Sequence, residues 1–138
     1  MALRLAAKGG HLKVVQYCVE HGADIHAEND RAIVNAVAYR HLEVVRYLVE
    51  RGADIHKGSE HALQLAAANG HLEIVKYLVE RGADIHARNG AALYAALYAA
   101  TNNPHLEVAK YLIERATDHR TVLAYYAICV AAYILAIV

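Results

Sequence analysis

The stretch Gly70-His-Leu-Glu-Ile-Val-Lys-Tyr-Leu-Val-Glu-Arg-Gly-Ala-Asp-Ile-His-Ala87 decides the fold of this chain, because it occurs three times in nearly the same form. The copies begin at His11, His41 and His71, at a constant interval of 30 residues, and an altered fourth copy begins at His105. Self-similarity at a short fixed period is typical of a solenoid, in which each unit buries its apolar faces only against its neighbours. The sequence therefore predicts a linear stack of repeats, whose function depends on an open surface.

Each copy contains a helix with one narrow polar stripe. In residues 41–50 the charged positions Glu43, Arg46 and Glu50 share one side of a 3.6-residue helix, and the other sides are apolar. This pattern predicts a second helix in each unit that is packed on all but one side. A glycine follows each of these helices and predicts a left-handed helix end; the glycines are Gly22, Gly52 and Gly82.

A shorter helix rich in small residues precedes each second helix, over residues 2–8, 32–38 and 62–68. Small side chains let these first helices approach one another more closely than the bulky second helices can. The unequal spacing should bend the stack, with the first helices on its concave side. Short extended fingers join the units. The candidate N-caps after the fingers are Asn29 or Asp30, Ser59 and Asn89.

This order of a helix, a tight turn, a second helix, a glycine and a short finger resembles ankyrin repeats. The stretch from Gly70 to Ala87 is close to that family's second-helix-and-finger signature, and the resemblance covers roughly residues 1–115. The usual ankyrin period is about 33 residues with a Thr-Pro-Leu-His opening, both of which differ here. The abbreviated form is similar to arrays that are abundant in large DNA viruses and some protists. The resemblance implies an all-α helix-turn-helix solenoid that binds proteins through its fingers and first helices.

Positions that vary between repeats are the candidate contacts with a protein partner, because the scaffold positions stay fixed. They lie at the finger tips and at the ends of the first helices, which is the surface that the family resemblance implies. The alternative is that a varying position is merely unconstrained. The candidates are Lys8, Glu28, Asn29, Asp30, Tyr39, Arg40, Lys57, Ser59, Glu60, Asn69, Arg88, Asn89 and Tyr98.

Two irregularities interrupt the repeat pattern. Arg40 stands where the other copies have Gly10 and Gly70, so it is strained if it keeps glycine's backbone angles. The fourth unit has a first helix, residues 91–101, that is about one turn longer, and Asn103 with Pro104 suits the start of the next helix. Tyr94 and Tyr98 share one face of the lengthened helix. They either pack on the next helix or remain exposed as anchors for a partner.

The array is predicted over residues 1–116, in units of about 1–30, 31–60, 61–90 and 91–116, and an apolar C-terminal helix over 117–138. Residues 121–138 carry no charge, whereas solenoids normally close with a polar outer face. The segment either caps its own stack, pairs with a second copy in a self-assembling homodimeric scaffold of natural or engineered origin, or tethers an adaptor to a membrane. Truncation of a longer array is a fourth interpretation. The candidate self-association residues are Tyr125, Ile128, Ala131, Ala132, Ile134 and Leu135.

The membrane interpretation is the weaker one, because the segment holds three tyrosines and no basic cluster adjoins it. Fourteen basic and fourteen acidic residues give a formal charge of zero, which argues against a nucleic-acid partner. Cys18 takes the position of Leu48, Leu78 and Leu112 in the other copies, and we expect it to be buried. Two cysteines and no secretion signal favour a cytoplasmic protein.

Ten histidines suggest a metal site, but their placement argues against one. Equivalent histidines of neighbouring units lie about 8–10 Å apart, whereas the ligands of one zinc ion lie about 2 Å from the metal. We therefore expect a structural ladder of histidines that hydrogen-bond turns and fingers, with no metal and no cofactor. The Asp-x-His pairs recur in every finger, so none of them marks a unique catalytic site, and we expect no enzymatic activity.

Overall fold

The computed structural model describes the backbone of residues 2–102, 106–116 and 127, and the side chains of these residues except 58–60 and 100–102. Eight α-helices occur within this part of the chain. The predicted cap at Asn103 and Pro104 and the six candidate self-association residues lie outside it. The helices are α1 Ala2–Gly9, α2 Leu12–Glu20, α3 Ala27–Ala38, α4 Leu42–Glu50, α5 Lys57–Ala68, α6 Leu72–Glu80, α7 Ala87–Asn102 and α8 Leu106–Arg115.

The helices form four consecutive pairs, and each pair packs on the next. Successive first helices (α1, α3, α5 and α7) pack closely, whereas successive second helices (α2, α4, α6 and α8) touch at few positions. The reason is the size of the side chains between them, since Ala36, Ala66 and Ala96 are completely buried between first helices. The prediction of an all-α helical solenoid is confirmed.

One apolar core runs through the stack from α1 to α8. The second helices contribute branched side chains that are fully buried, such as Val45, Leu48, Val75 and Leu78. Cys18 is only half-buried, so the expectation that it is buried like its leucine counterparts is wrong. Cys18 lines an open cavity between α1, the end of α2 and the first finger, which leaves part of its side chain accessible.

The histidines that precede α4 and α6 link these helices to the preceding repeat. The ring Nε2 of His41 donates a hydrogen bond to the carbonyl of Lys8 over 2.9 Å, and the ring Nδ1 of His71 donates one to the carbonyl of Val37 over the same distance. These bonds join units that are adjacent in the stack. They confirm the structural role predicted for His41 and His71.

Arg40 adopts the left-handed conformation of the glycines that it replaces. Its φ is 63°, close to 72° at Gly10 and 69° at Gly70. The N–H of Arg40 donates to the carbonyl of Val37 and the next N–H to that of Ala36, a pairing that closes a helix on a left-handed residue. At Gly10 an added Cβ would clash with the ring of His41. A side chain at this repeat position therefore competes for space with the histidine that precedes the second helix of the following unit.

We predict that Arg40→Gly raises the free energy of unfolding by roughly 0.5–1 kcal/mol, because glycine carries no Cβ penalty in the left-handed region. Urea denaturation followed by circular dichroism measures the change. Tyr39→Gly is the matched control, since the φ of Tyr39 is −99° and glycine should lower stability there. An unchanged or lower midpoint for Arg40→Gly would contradict the prediction.

Each finger begins with an aspartate that caps a tight turn. The Oδ1 atoms of Asp24, Asp54 and Asp84 accept hydrogen bonds from the backbone N–H two residues later, at 2.8–2.9 Å. The same bond in three fingers assigns these aspartates to the scaffold. The first and third fingers then end in three consecutive left-handed residues, 28–30 and 88–90.

The left-handed residues directly precede the right-handed part of α3, so Asp30 borders the start of that part, at the position predicted for an N-cap. Its carboxylate contacts His26 and Lys57, and the cap roles of Asn29 and Asp30 stay predictions. Residues 28–30 have φ between 52° and 64°, so they reverse the chain before the right-handed helix begins. Asparagine and aspartate tolerate this region better than other side chains, which accounts for their presence in the turn. The side chain of Ser59 lies outside the described part.

Candidate functional site

The structure exposes nearly all of the predicted contact positions that it describes. The exposed residues are Lys8, Glu28, Asn29, Tyr39, Arg40, Lys57, Asn69, Arg88, Asn89 and Tyr98. They divide between the finger tips and the ends of the first helices, as the sequence predicted. The side chains of Ser59 and Glu60 lie outside the described part, so their assignment stays a prediction.

Asp30 is the exception, because only 1% of it is exposed. Its Oδ2 lies 2.7 Å from the Nζ of Lys57 in the second finger, and its Oδ1 accepts a hydrogen bond from the Nδ1 of His26 over 2.7 Å. Burial raises the pKa of the Asp30 carboxyl, but the contacts with Lys57 and His26 outweigh this and hold the pKa below its usual value near 3.8. The assignment of Asp30 as an exposed contact is therefore wrong. Asp30 ties the first finger to the second.

Three other predicted contact residues make contacts within the chain. The Nζ of Lys8 lies 5.2 Å from the centre of the Tyr39 ring, within range of a cation–π interaction. The carboxylate of Glu28 lies 3.6 Å from the Nε of Arg4. In both pairs a side chain of α1 contacts a residue that lies further along the stack, either in the first finger or at the end of α3.

A groove runs between the fingers and the first helices. A cavity of about 350 Å³ there is lined by Asn29, Asp54, Lys57 and Arg88 from three fingers, and by first-helix residues that include Val34 and His61. The groove therefore places side chains of three repeats on one open surface. Sequence reasoning did not single out Asp54, Val34 or His61 as contacts, although the 30-residue period aligns each of them with a counterpart in the next unit.

Two columns of side chains lie along the first helices, one helical turn apart. The 30-residue period sets the members of each column, since equivalent positions of stacked repeats align. We call them together the first-helix face. The columns are Arg4–Val34–Gln64–Tyr94 and Lys8–Ala38–Ala68–Tyr98.

The two tyrosines of the first-helix face are accessible. Tyr94 is 46% exposed and Tyr98 is 74% exposed with respect to the described residues. The two interpretations that the sequence left open, a ridge packed on the next helix and anchors for a partner, both stay predictions. We call the surface between the two ends of the first-helix face the trough; its members are Val34, Ala38, Gln64 and Ala68.

The second helices present the opposite surface, where the same contacts recur in successive units. The ring of Tyr77 lies between Arg46 of the preceding unit, at 5.6 Å from its centre, and Arg81 of its own unit, at 5.3 Å. Tyr111 lies between Lys76 and Arg115 in the same way, at 6.0 and 5.1 Å. These cations are therefore engaged within the stack, and this surface is part of the scaffold.

We predict that Tyr77→Phe keeps or raises the free energy of unfolding, by up to about 1 kcal/mol, although it removes a polar group. The hydroxyls of Tyr47, Tyr77 and Tyr111 are buried and find no hydrogen-bond partner among the described residues. A buried hydroxyl without a partner is costly, and phenylalanine keeps the ring that packs against the two arginines. Thermal denaturation provides the measurement, with Tyr17→Phe as the control because Tyr17 is 62% exposed. If Tyr77→Phe lowers the free energy of unfolding by more than about 1 kcal/mol, the buried hydroxyl of Tyr77 stabilises the fold, which contradicts the prediction.

The described residues hold no group of three or more histidine, cysteine, aspartate or glutamate side chains placed to bind a metal ion. None of the helices in residues 2–116 that the structure describes is long and apolar enough to cross a membrane. Self-association and membrane tethering through residues 121–138 remain predictions, because that segment lies outside the described part.

Comparison with known proteins agrees with the geometry. Two family models of ankyrin repeats match the chain, one over residues 1–59 and the other over residues 63–113. No curated protein sequence matches the chain. The matched ranges include every finger, both glycine-type helix ends of each full unit and six complete helices of the stack. The chain belongs to the ankyrin repeat family.

Proposed function

We propose that this chain is a non-catalytic module that binds a protein partner across its finger tips and its first-helix face. Ankyrin repeats are generally protein–protein interaction modules. The observation that carries the proposal is the contrast between the two surfaces of the stack. The second helices repeat the same tyrosine and charge contacts, whereas the first-helix face changes from unit to unit, and its members are exposed or partly exposed.

The surface chemistry supports binding over catalysis. The aspartates that begin the fingers accept hydrogen bonds from backbone N–H groups, and Asp30 is buried in an ion pair with Lys57. The exposed groups that remain are spread over several repeats along an open trough, which suits a partner that lies across the stack. We also propose a cytoplasmic location, since Cys18 has no disulfide partner in the described part of the chain.

A phage-displayed library of random 16-residue peptides tests the proposal. Peptides selected on the whole chain should lose binding to the variant Ala68→Arg, which places a large charge in the middle of the first-helix face. Glu73→Arg is the matched control on the second-helix surface, where Glu73 is exposed. Peptides that bind both variants equally, or that lose binding only with Glu73→Arg, would place the binding surface elsewhere and contradict the proposal.

A further inference from the structure

The first-helix face differs chemically at its two ends. Its first unit presents Arg4 and Lys8, and its fourth unit presents Tyr94 and Tyr98. Over residues 2–10, 31–40, 61–70 and 91–102 the sequence contains four basic residues, all of them in the first two units, and no acidic residue. The two other basic residues are Arg31 and Arg40, which are both exposed. The face therefore runs from a cationic end to an aromatic end.

The distance between the ends follows from the packing of the helices. Neighbouring first helices lie about 8–10 Å apart, so three steps separate the ends by roughly 25–30 Å. An extended peptide advances about 3.3 Å per residue, so about eight residues cover this distance. Between the ends the face holds Val34, Ala38 and Ala68, which are shorter than the side chains at the ends, together with Gln64, whose amide can hydrogen-bond a passing peptide backbone.

Resting on the proposed function above, we propose that this face binds an extended protein segment that carries carboxylates at one end and a large apolar side chain about eight residues away. The carboxylates lie against Arg4 and Lys8, and the apolar side chain packs on Tyr94 and Tyr98. The partner is thus an acidic linear motif with one apolar anchor.

Arg4 already pairs with a carboxylate of this chain. Its Nε lies 3.6 Å from a carboxylate oxygen of Glu28, which is within range of an ion pair but too long for a hydrogen bond. The Nε itself is buried, whereas the Arg4 side chain as a whole is 35% exposed, so an incoming carboxylate contacts the exposed part of the guanidinium group. Glu28 also partly neutralises the cationic end, and it therefore competes with an incoming acid.

The charges beside the face favour an acidic protein segment over a nucleic acid. The fingers that border the cationic end carry the exposed carboxylates of Asp24, Glu28 and Asp54. A continuous phosphate backbone would approach these groups, whereas a peptide can place its few carboxylates only where the arginine and lysine lie. The aromatic and basic side chains are also separated instead of interleaved, unlike a surface for stacked bases.

Fluorescence anisotropy with the whole chain tests the proposal directly. The probe is a fluorescein-labelled synthetic peptide with four glutamates and one tryptophan, separated by eight Gly/Ser residues. We expect it to bind about tenfold more tightly than the same peptide with a two-residue spacer, and its affinity should fall as salt rises from 50 to 500 mM. Equal affinity for the two spacers, or tighter binding of a single-stranded oligo-dT of 16 nucleotides, would overturn the proposal.

Charge variants of the protein assign the end of the face that each group contacts. The double variant Arg4→Gln, Lys8→Gln should weaken binding about tenfold. The control Lys13→Gln, Lys110→Gln removes two exposed positive charges from the second helices and should leave binding within about twofold. Glu28→Gln should tighten binding about two- to fivefold, because it removes the competing carboxylate. Equal losses in the two double variants would show that only net charge matters and would overturn the proposal.

The proposed function and this inference fail in different ways. If peptides selected from the random library lose binding with Ala68→Arg but ignore Arg4→Gln, Lys8→Gln, the first-helix face is a binding surface and the acidic motif is wrong. If Ala68→Arg has no effect on any selected peptide, the proposed function itself is wrong.

Discussion

Replacing Leu78 with alanine is expected to lower the free energy of unfolding by about 3 kcal/mol, the largest effect that we predict for a single substitution in this chain. Leu78 lies in α6, it is fully buried, and repeats on both sides cover it. The loss combines the transfer of the leucine side chain from the core to water with the cavity that neighbouring helices cannot fill. Urea denaturation followed by circular dichroism measures the change.

Cys18→Ala provides the matched control at the same repeat position. Cys18 is half-buried and packs against fewer neighbours, so its truncation should cost less than about 1 kcal/mol. Similar losses at the two positions would mean that coverage by neighbouring repeats does not determine stability in this stack. That result would contradict the expectation that the fully buried Leu78 contributes more than the partly buried Cys18.

Neutralising Asp30 is expected to have the second-largest effect, a loss of about 1–2 kcal/mol at neutral pH. The Asp30→Asn variant keeps a side chain that tolerates the left-handed backbone, whose φ is 58° at this position, but removes the anion between Lys57 and His26. A hydrogen bond to a charged group contributes about 1.5–3 kcal/mol to stability. The expected loss is smaller, because the Lys57 side chain is 40% exposed and solvent screens its charge.

The stabilising effect of the Asp30 carboxylate is present at neutral pH and is lost in acid. The pKa of Asp30 in the folded protein lies below its usual value near 3.8, so the anion is bound more strongly in the folded chain than in the unfolded one. Its stabilising contribution is complete above the unfolded value and is lost as the pH falls below 3.8 and through the folded value. The difference in stability between the wild-type chain and Asp30→Asn should therefore shrink below this pH.

Glu28→Gln is the control, because it neutralises a carboxylate two residues away that is half exposed. We expect its effect on stability to stay within about 0.5 kcal/mol. A difference between wild type and Asp30→Asn that stays constant from pH 7 to pH 2 would show that the effect does not come from the charge of Asp30.

The repeat architecture could be predicted from the sequence because its physical causes act over short distances. The 30-residue period, the polar stripe of the second helix and the small residues of the first helix each follow from the pattern of side chains. The left-handed conformation of Arg40 could be predicted in the same way, since two glycines occupy the equivalent positions. Local pattern was sufficient for these features.

The finger geometry could not be predicted, because it depends on contacts between units. Asp30 looked like an exposed cap when only its neighbours in the chain were considered, but Lys57, in the next finger, and His26 bury it. The left-handed turns of the first and third fingers also include Glu28 and Arg88, and neither residue type is typical of this conformation. The chemical difference between the ends of the first-helix face becomes visible only when the columns are aligned across the four units.

The packing of each helix pair almost entirely on its immediate neighbours has a consequence for any partner that spans the stack. Because the contacts between the described helices join mainly adjacent units, a terminal unit can unfold locally while the middle of the array stays folded. A ligand that contacts the first and fourth units together binds only the molecule in which all four units are folded, and by mass action it stabilises that state. Such a ligand would suppress local unfolding of the terminal units. The difference between melting temperatures recorded with and without it would measure this stabilisation.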